Sequence, residues 1–421
     1  MTRSFLSIRE TNRWAVATLI ARILNRVSIP KIQSLLSRMV FLESFETFPL
    51  EEIRPKVALH RSAHPRVSGK VVGGVVQADR TESAGHQLSA YWLSNALLSL
   101  DRRGGYALAD GKLVSRSPAS GQRPKIVFGG IPVNGELHQT ESRVFCSKPV
   151  SSSSVPRGIY VGSLAPHNWY HWLIDTLPVI SSLANLPLEE AETPILLPSE
   201  ALSKPAWRDS LSTVLHGRQI LPLSPWEFHH VETLVMTDGV TTAFPRPLTP
   251  QTGHGRIFVN KDVLLHFKHQ VLAKLELEAE PARKNRRIFL ARKQQASRRY
   301  NHTEVSDVAE AQGFETFYLE DLSFRESVEI FTQAEAIVGP HGAGFANSIF
   351  ASPGTRILMW TWEDRRGDNW YETLFVANHI KANFLFVTAQ SPERNDSDPR
   401  NAPYHLSRRE FKKGLAELNL D

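Results

Sequence analysis

His171 and Asp175 stand four residues apart in the run PHNWYHWLIDTLPVISSLANL at 166–186, whose apolar positions recur at helical spacing. Four residues on a helix put two side chains on one face, and an imidazole beside a carboxylate can act as a general-base pair, the carboxylate raising the basicity of the ring. Either member can take the proton. The same spacing also serves a helix that is merely oriented by its polar pair while Trp169, Trp172 and Leu173 pack inward. No third ligand is spaced beside the two, so no metal site is expected there.

Two further stretches suit an anion. Residues 286–301 (RRIFLARKQQASRRYN) supply Arg286, Arg287, Arg292, Lys293, Arg298, Arg299 and Asn301, and Arg292 falls just past the end of an apolar strand, where a guanidinium can grip a pyrophosphate with two parallel bonds. Lys293 and Arg299 read better as solvated charges. Residues 336–360 (AIVGPHGAGFANSIFASPGTRILMW) read as strand, tight loop, helix and strand. Gly342 and Gly344 let a phosphate approach the backbone with no Cβ in the way, and the helix that follows aims its unpaired N–H groups and positive end at the loop. The glycines alone would equally make a strand-to-helix turn. His341 and Asn347, both able to donate to an anion or a sugar, favour the ligand.

The elements that position these groups alternate. Residues 50–150 are β-rich, with runs at 70–78, 124–133 and 142–150, and Ser151–Ser154 reads as a loop before the strand 158–161. Strands at 194–198, 219–223 and 231–237 then alternate with helices, and 285–362 repeats β-α-β-α-β-α-β, the doubly wound pattern of a nucleotide-binding sheet. Asn301 with Glu304, and Ser323 with Glu326, have capping-box spacing. Residues 238–251 are rich in Thr, Pro and Gly and mark the interdomain region. The chain thus divides into an N-terminal helical extension (1–50), an acceptor domain (51–240), a nucleotide domain (241–390), and a loop with a closing helix (391–421).

At 421 residues the chain has room for two domains, and 41% hydrophobic with 22% charged residues is a globular composition. A net charge of +6 favours anionic partners. Nucleic acid is not expected among them, because no binding module with interleaved aromatics is present. The single cysteine, Cys146, excludes an intrachain disulfide or a thiolate zinc cluster and fits the cytoplasm. Trp14–Leu24 and Ile32–Leu42 are too short to span a bilayer, but with Arg9, Arg13, Arg22, Arg26, Lys31 and Arg38 they could rest as amphipathic helices on the anionic inner face of a membrane, or pack on the protein itself. The motifs G-x-x-x-x-G-K-S/T, G-x-S-x-G and H-E-x-x-H are absent. Asp396-Ser397-Asp398 matches a D-x-D metal pair but sits in a stretch composed like a turn, and nothing converges on His229-His230.

Three motifs in order, NWYHWLIDTLP at 168–178, IFLAR at 288–292 with Arg298 and NHTEV at 301–305, and GPHGAGFANSIF at 339–350, resemble glycosyltransferase family 61, whose members include capsular polysaccharide enzymes and transferases that add O-linked N-acetylglucosamine to EGF domains. The resemblance covers roughly residues 155–390. It implies a GT-B-type α/β fold of two Rossmann-like domains facing a cleft, and inverting transfer from a nucleotide sugar, UDP-linked in characterised relatives, to a hydroxyl of a glycan or lipid-linked saccharide. It places Arg292, Arg298, Asn301, His341, Gly342, Ala343, Gly344 and Asn347 at the donor and His171 and Asp175 on the acceptor side, with no cofactor and no required divalent metal. Where the family often carries an acid at the end of the strand after the glycine loop, this chain has Met359, with Glu363 four residues further on, which leaves any carboxylate contact to the donor's ribose an open question. The reading from another class is a non-catalytic protein that keeps the two-domain shell to bind a nucleotide or glycan.

Overall fold

The computed structural model describes residues 43–49, 56–61, 64–72, 75–83, 87–101, 104–110, 112–116, 125–126, 137–139, 143–146, 150–162, 166–225, 227–244, 256–281, 284–293, 298–363, 370–388 and 403–420. The N-terminal half is built on strands β1 (Gln87–Asp101), β2 (Val150–Tyr160), β3 (Ile195–Pro198), β4 (Ile220–Leu223) and β5 (Phe228–Thr237), ordered β4-β3-β2-β5-β1. The first four are parallel; β1 joins β5 antiparallel and leads into a curled run of further antiparallel strands. Helix α1 (169–182) follows β2, and α2 (Pro205–Ser212) lies between β3 and β4.

The C-terminal half is an all-parallel sheet of β6 (Arg286–Leu290), β7 (Glu315–Phe317), β8 (Ala334–Pro340), β9 (Arg356–Trp362) and β10 (Lys381–Val387), ordered β7-β6-β8-β9-β10. Ahead of it runs α3 (Lys261–Lys274), and its crossovers carry α4 (His302–Glu310), α5 (Phe324–Thr332), a 3₁₀ helix (Ala343–Phe350) and α6 (Trp370–Ala377), before a closing α7 (Arg408–Ala416). One apolar cluster packs beneath it and another above, where Phe289, Val305, Trp360 and Phe411 meet. This half is the expected doubly wound unit.

The N-terminal half departs from a Rossmann-like domain. Among the described residues its helices lie on one face, where Trp172, Leu177 and Leu211 pack with Ile159 and Ile195, while on the other face Tyr91, Leu98, Leu196 and Leu234 pack with Ala107, Ala109 and Val114 of the curled strands. The helical face is continuous with the C-terminal core, because the same cluster contains Val263, Phe267, Ile288, Phe345 and Phe350. Three local expectations need correction. Ser151–Ser154 is part of β2, not a loop, since pairing with β5 begins at Val150. The run at 70–78 is β as expected, its two halves belonging to the paired strands His64–Val72 and Val75–Ser83. Asn301 does not cap α4 through its side chain, whereas Ser323 and Glu326 form both bonds of their box. Of the expected helical extension 1–50, residues 1–42 lie outside the described residues and Glu43–Pro49 is a strand. Among the described residues no helix is long and apolar enough to cross a membrane.

The 3₁₀ helix is anchored from below by a buried ammonium. Lys268 of α3 is 3% exposed, and its Nζ donates to the Ala351 carbonyl at 2.7 Å and to Asn378 Oδ1 at 2.9 Å. Asn378 Nδ2 in turn donates to the carbonyls of Ser348 and Ala351 at 2.8 and 2.9 Å, so the last turn of the 3₁₀ helix has its orphan acceptors filled. Burial lowers the Lys268 pKa from 10.5 to about 8. Between those values the unfolded chain binds the proton and the folded one does not, so stability rises with pH through that window, by about 3 kcal/mol if the whole shift is expressed. Burial raises the phenols of Tyr300 and Tyr404, which acts in the opposite sense above about pH 10. Chemical denaturation at pH 8 and pH 10 should therefore show a rise that Lys268→Met abolishes; equal pH slopes for the two proteins would contradict the assignment.

Candidate active site

A cavity of about 460 Å³ opens outside the carboxyl ends of β6, β7 and β8. In the order β7-β6-β8 the chain reverses direction of winding between β6 and β8, and open α/β sheets bind ligands at such a switch point. One wall consists of Arg292 and Lys293, which follow β6, and of Gly342, Ala343, Gly344 and Asn347, which follow β8. A second wall, after β7, carries Leu319, Glu320, Leu322 and Phe324. The N-terminal half closes the third side with Trp169 of α1 and Trp207 of α2, whose rings meet edge to face at 4.8 Å.

Arg292 differs from the other arginines of its run. Arg286 is paired with Glu315 at 2.5 Å, and Arg287 with Glu335 at 3.2 Å. Lys293 is paired with Asp321. Arg292, half-buried, has no counterion among the described residues. Its guanidinium lies across Gly342, where a Cβ would come within 2.7 Å of Nη2. The backbone there is extended, so this glycine is required by the neighbour and not by its own dihedrals. Gly344 is similarly crowded, by Leu319 Cδ1 at 2.9 Å. The helix that follows is 3₁₀ and not α: Asn347 Nδ2 donates to the Gly344 carbonyl three residues back, at 2.9 Å. Asn347 is 1% exposed and its Oδ1 is buried with no partner. Tyr371 Oη donates to the Gly342 carbonyl at 2.7 Å and fixes the loop from behind.

His171 and Asp175 sit where α1 widens into a π turn at Trp172–Thr176. Pro178 favours the widening, because it has no N–H to give to the carbonyl four residues back and its ring crowds that carbonyl. Asp175 Oδ2 accepts from His171 Nδ1 at 2.7 Å, while Asp175 Oδ1 is buried with no partner. The Asp175 side chain is 3% exposed and that of His171 16%. Asp175 is therefore the inner, orienting member and His171 the one that faces outward. Neither lines the cavity, but α1 packs on the 3₁₀ helix, and Trp169, two residues and about 3 Å of helix rise away, does line it.

Three expected donor residues are turned elsewhere. His341 stacks edge-on against Tyr371 at 5.0 Å and Trp362 at 6.0 Å, on the far side of the loop. The Arg298 guanidinium lies 5.7 Å from the centre of the Trp362 ring. Asn301 ties α4 to the C-terminal segment: its Oδ1 accepts from the Leu406 N–H and its Nδ2 donates to the Leu406 carbonyl, both at 3.0 Å. Conversely, the sequence gives Trp169 only a packing role and does not single out Trp207, Leu319 or Glu320, which also line the cavity; for the last, the available signal is its place just beyond a strand end. Among the described residues no group of three or more His, Cys, Asp or Glu is set to hold a metal ion, and Asp396-Ser397-Asp398 lies outside them.

Residues 169–358 match the family model described as Glycosyltransferase 61, a span that runs from the start of α1 through Arg292 and the glycine loop into β9. No curated protein matches the chain. The packing of Arg292 on Gly342 makes a prediction that does not depend on the reaction. Gly342→Ala should displace the arginine, which can swing, leaving the unfolding temperature within a few degrees of wild type while weakening pyrophosphate binding about tenfold or more in calorimetry. Unchanged pyrophosphate affinity would show that Arg292 is not the anion's ligand.

Proposed function

We propose a reaction for this chain, which belongs to glycosyltransferase family 61 through residues 169–358 and is thereby a sugar transferase. The donor is a nucleoside diphosphate sugar, UDP-linked, and the acceptor is a hydroxyl of a glycan or a lipid-linked saccharide. The observation that carries this reading is Arg292, an arginine without a counterion held against the Gly342–Gly344 backbone at the switch point of a parallel sheet. A guanidinium left uncompensated in a half-buried cavity is costly unless an anion completes it.

The transfer is a single in-line displacement. Donation of Nδ1–H to Asp175 leaves Nε2 of His171 as the lone-pair nitrogen, which removes the acceptor's proton as its oxygen attacks the anomeric carbon. The bond from that carbon to the diphosphate oxygen breaks, and the configuration inverts. The charge that develops on the diphosphate is received by Arg292 and by backbone N–H groups at the start of the 3₁₀ helix. Asp175 holds the ring in this tautomer and stabilises the imidazolium. Because the cationic charge on the leaving group's side comes from the protein, no divalent metal is required.

With a nucleotide-sugar donor, wild-type protein should release free nucleoside diphosphate in an acceptor-dependent manner, and should continue to do so in EDTA. His171→Ala is expected to lower kcat by about 10²- to 10⁴-fold and Asp175→Asn by about 10²-fold, both with the donor still bound. Arg292→Ala should cost about 10²- to 10³-fold. Donor binding without acceptor-dependent release would instead fit a non-catalytic shell, and activity lost in EDTA and restored by manganese would overturn the metal-free mechanism.

A further inference from the structure

The cavity keeps two opposite charges apart and unspent. Arg292 follows β6; Glu320 follows β7, in the short 3₁₀ turn Leu319–Asp321. Both line the cavity, and among the described residues no ion pair joins them; Glu320 acts on the Lys293 ammonium only through space, while Asp321 holds it directly. The neighbouring Asp321 is already neutralised by Lys293, which leaves Glu320 as the exposed carboxylate of this wall. Asn347, almost fully buried with Oδ1 unpartnered, is among the residues that line the same cavity, from the β8 side. Such a set suits a ligand with an anion at one end and hydroxyl donors at the other.

We infer that Glu320 is the carboxylate that binds the ribose hydroxyls of the donor's nucleotide; Glu363, which follows the last residue of β9, is not among the residues that line the cavity. The inference rests on the nucleotide-sugar reading above and assigns its orientation. β7 and β8 flank β6, so their ends are two strand spacings apart, about 10 Å, a span comparable with that from a diphosphate to its ribose. The turn of α1 that carries His171 packs on the 3₁₀ helix after β8, so the reacting end of the donor lies on the β8 side and the nucleoside extends toward β7. An acid just past the strand neighbouring the switch point is also where doubly wound sheets hold ribose hydroxyls. Met359, by contrast, is 2% exposed and packed in the apolar cluster, away from the cavity.

The test compares UDP and GDP with their 2′-deoxy counterparts, by calorimetry, on wild type, Glu320→Ala and Glu320→Gln, with Asp321→Asn as a control on the same turn. Glu320 is exposed, so its variants should fold, which their unliganded unfolding temperatures check. Wild type and Asp321→Asn should prefer the ribonucleotide roughly tenfold or more, the effect of a hydrogen bond to a charged group. In Glu320→Ala the preference should collapse toward unity through loss of ribonucleotide affinity alone, and Glu320→Gln, which can still accept, should retain part of it. A preference unchanged in Glu320→Ala, or absent from wild type that binds both forms, overturns the inference and leaves the donor reading standing. If wild type binds no nucleotide at all, both fall.

Discussion

Lys268 brings an ammonium into a core otherwise made of Phe267, Phe350 and their apolar neighbours, and the candidate active site is arranged above it. A buried lysine is unfavourable until every proton it carries is accepted. Its acceptors here include the Ala351 carbonyl, at the very end of the 3₁₀ helix, and Asn378, which passes the connection back to Ser348 and Ala351. That network fixes one end of the segment 343–351; Tyr371 fixes the other through the Gly342 carbonyl. Between these two fastenings lie the residues that meet the ligand, and the position of Arg292 depends on Gly342 staying where it is.

The electrostatics of the site follow from what has been left unpaired. In the run 286–293 most cations are neutralised by carboxylates on neighbouring strands or turns, which is the ordinary fate of charge on a surface. Arg292 is exempt because it lies past the strand end, against a glycine, with only a backbone loop opposite. Asp175 shows the complementary case: one oxygen holds His171 and the other is buried without a partner, so the carboxylate's charge is directed at the imidazole.

Much of this was legible in the sequence because local signals and the fold agree. The alternation over 285–362 places four of the five strands of the C-terminal sheet and the crossovers between them, and with them Arg292 and the glycine loop at one edge. One-dimensional order does not say which side of the backbone a residue faces. His341 and Gly342 are adjacent, yet in an extended segment neighbours point to opposite sides, so one meets Trp362 and Tyr371 while the other meets Arg292. Asn301 looked like a ligand because it is polar and close to the basic run, but a backbone 105 residues away had a prior claim on it. Ser151–Ser154 reads as a loop by composition; pairing with β5 overrides a weak propensity. The one-sided N-terminal sheet was invisible because curling depends on which strands pair at long range.

That one-sided sheet bears on how substrates come and go. Since the helical face of the N-terminal half and the underside of the C-terminal sheet share a single apolar cluster, swinging the halves apart would wet hydrocarbon that is now dry. Exposing even 200 Å² costs about 5 kcal/mol. The two sheets should behave as one block through a catalytic cycle, with ligand traffic passing through the mouth formed by loop ends, and turnover paced by those loops and not by a clamshell motion.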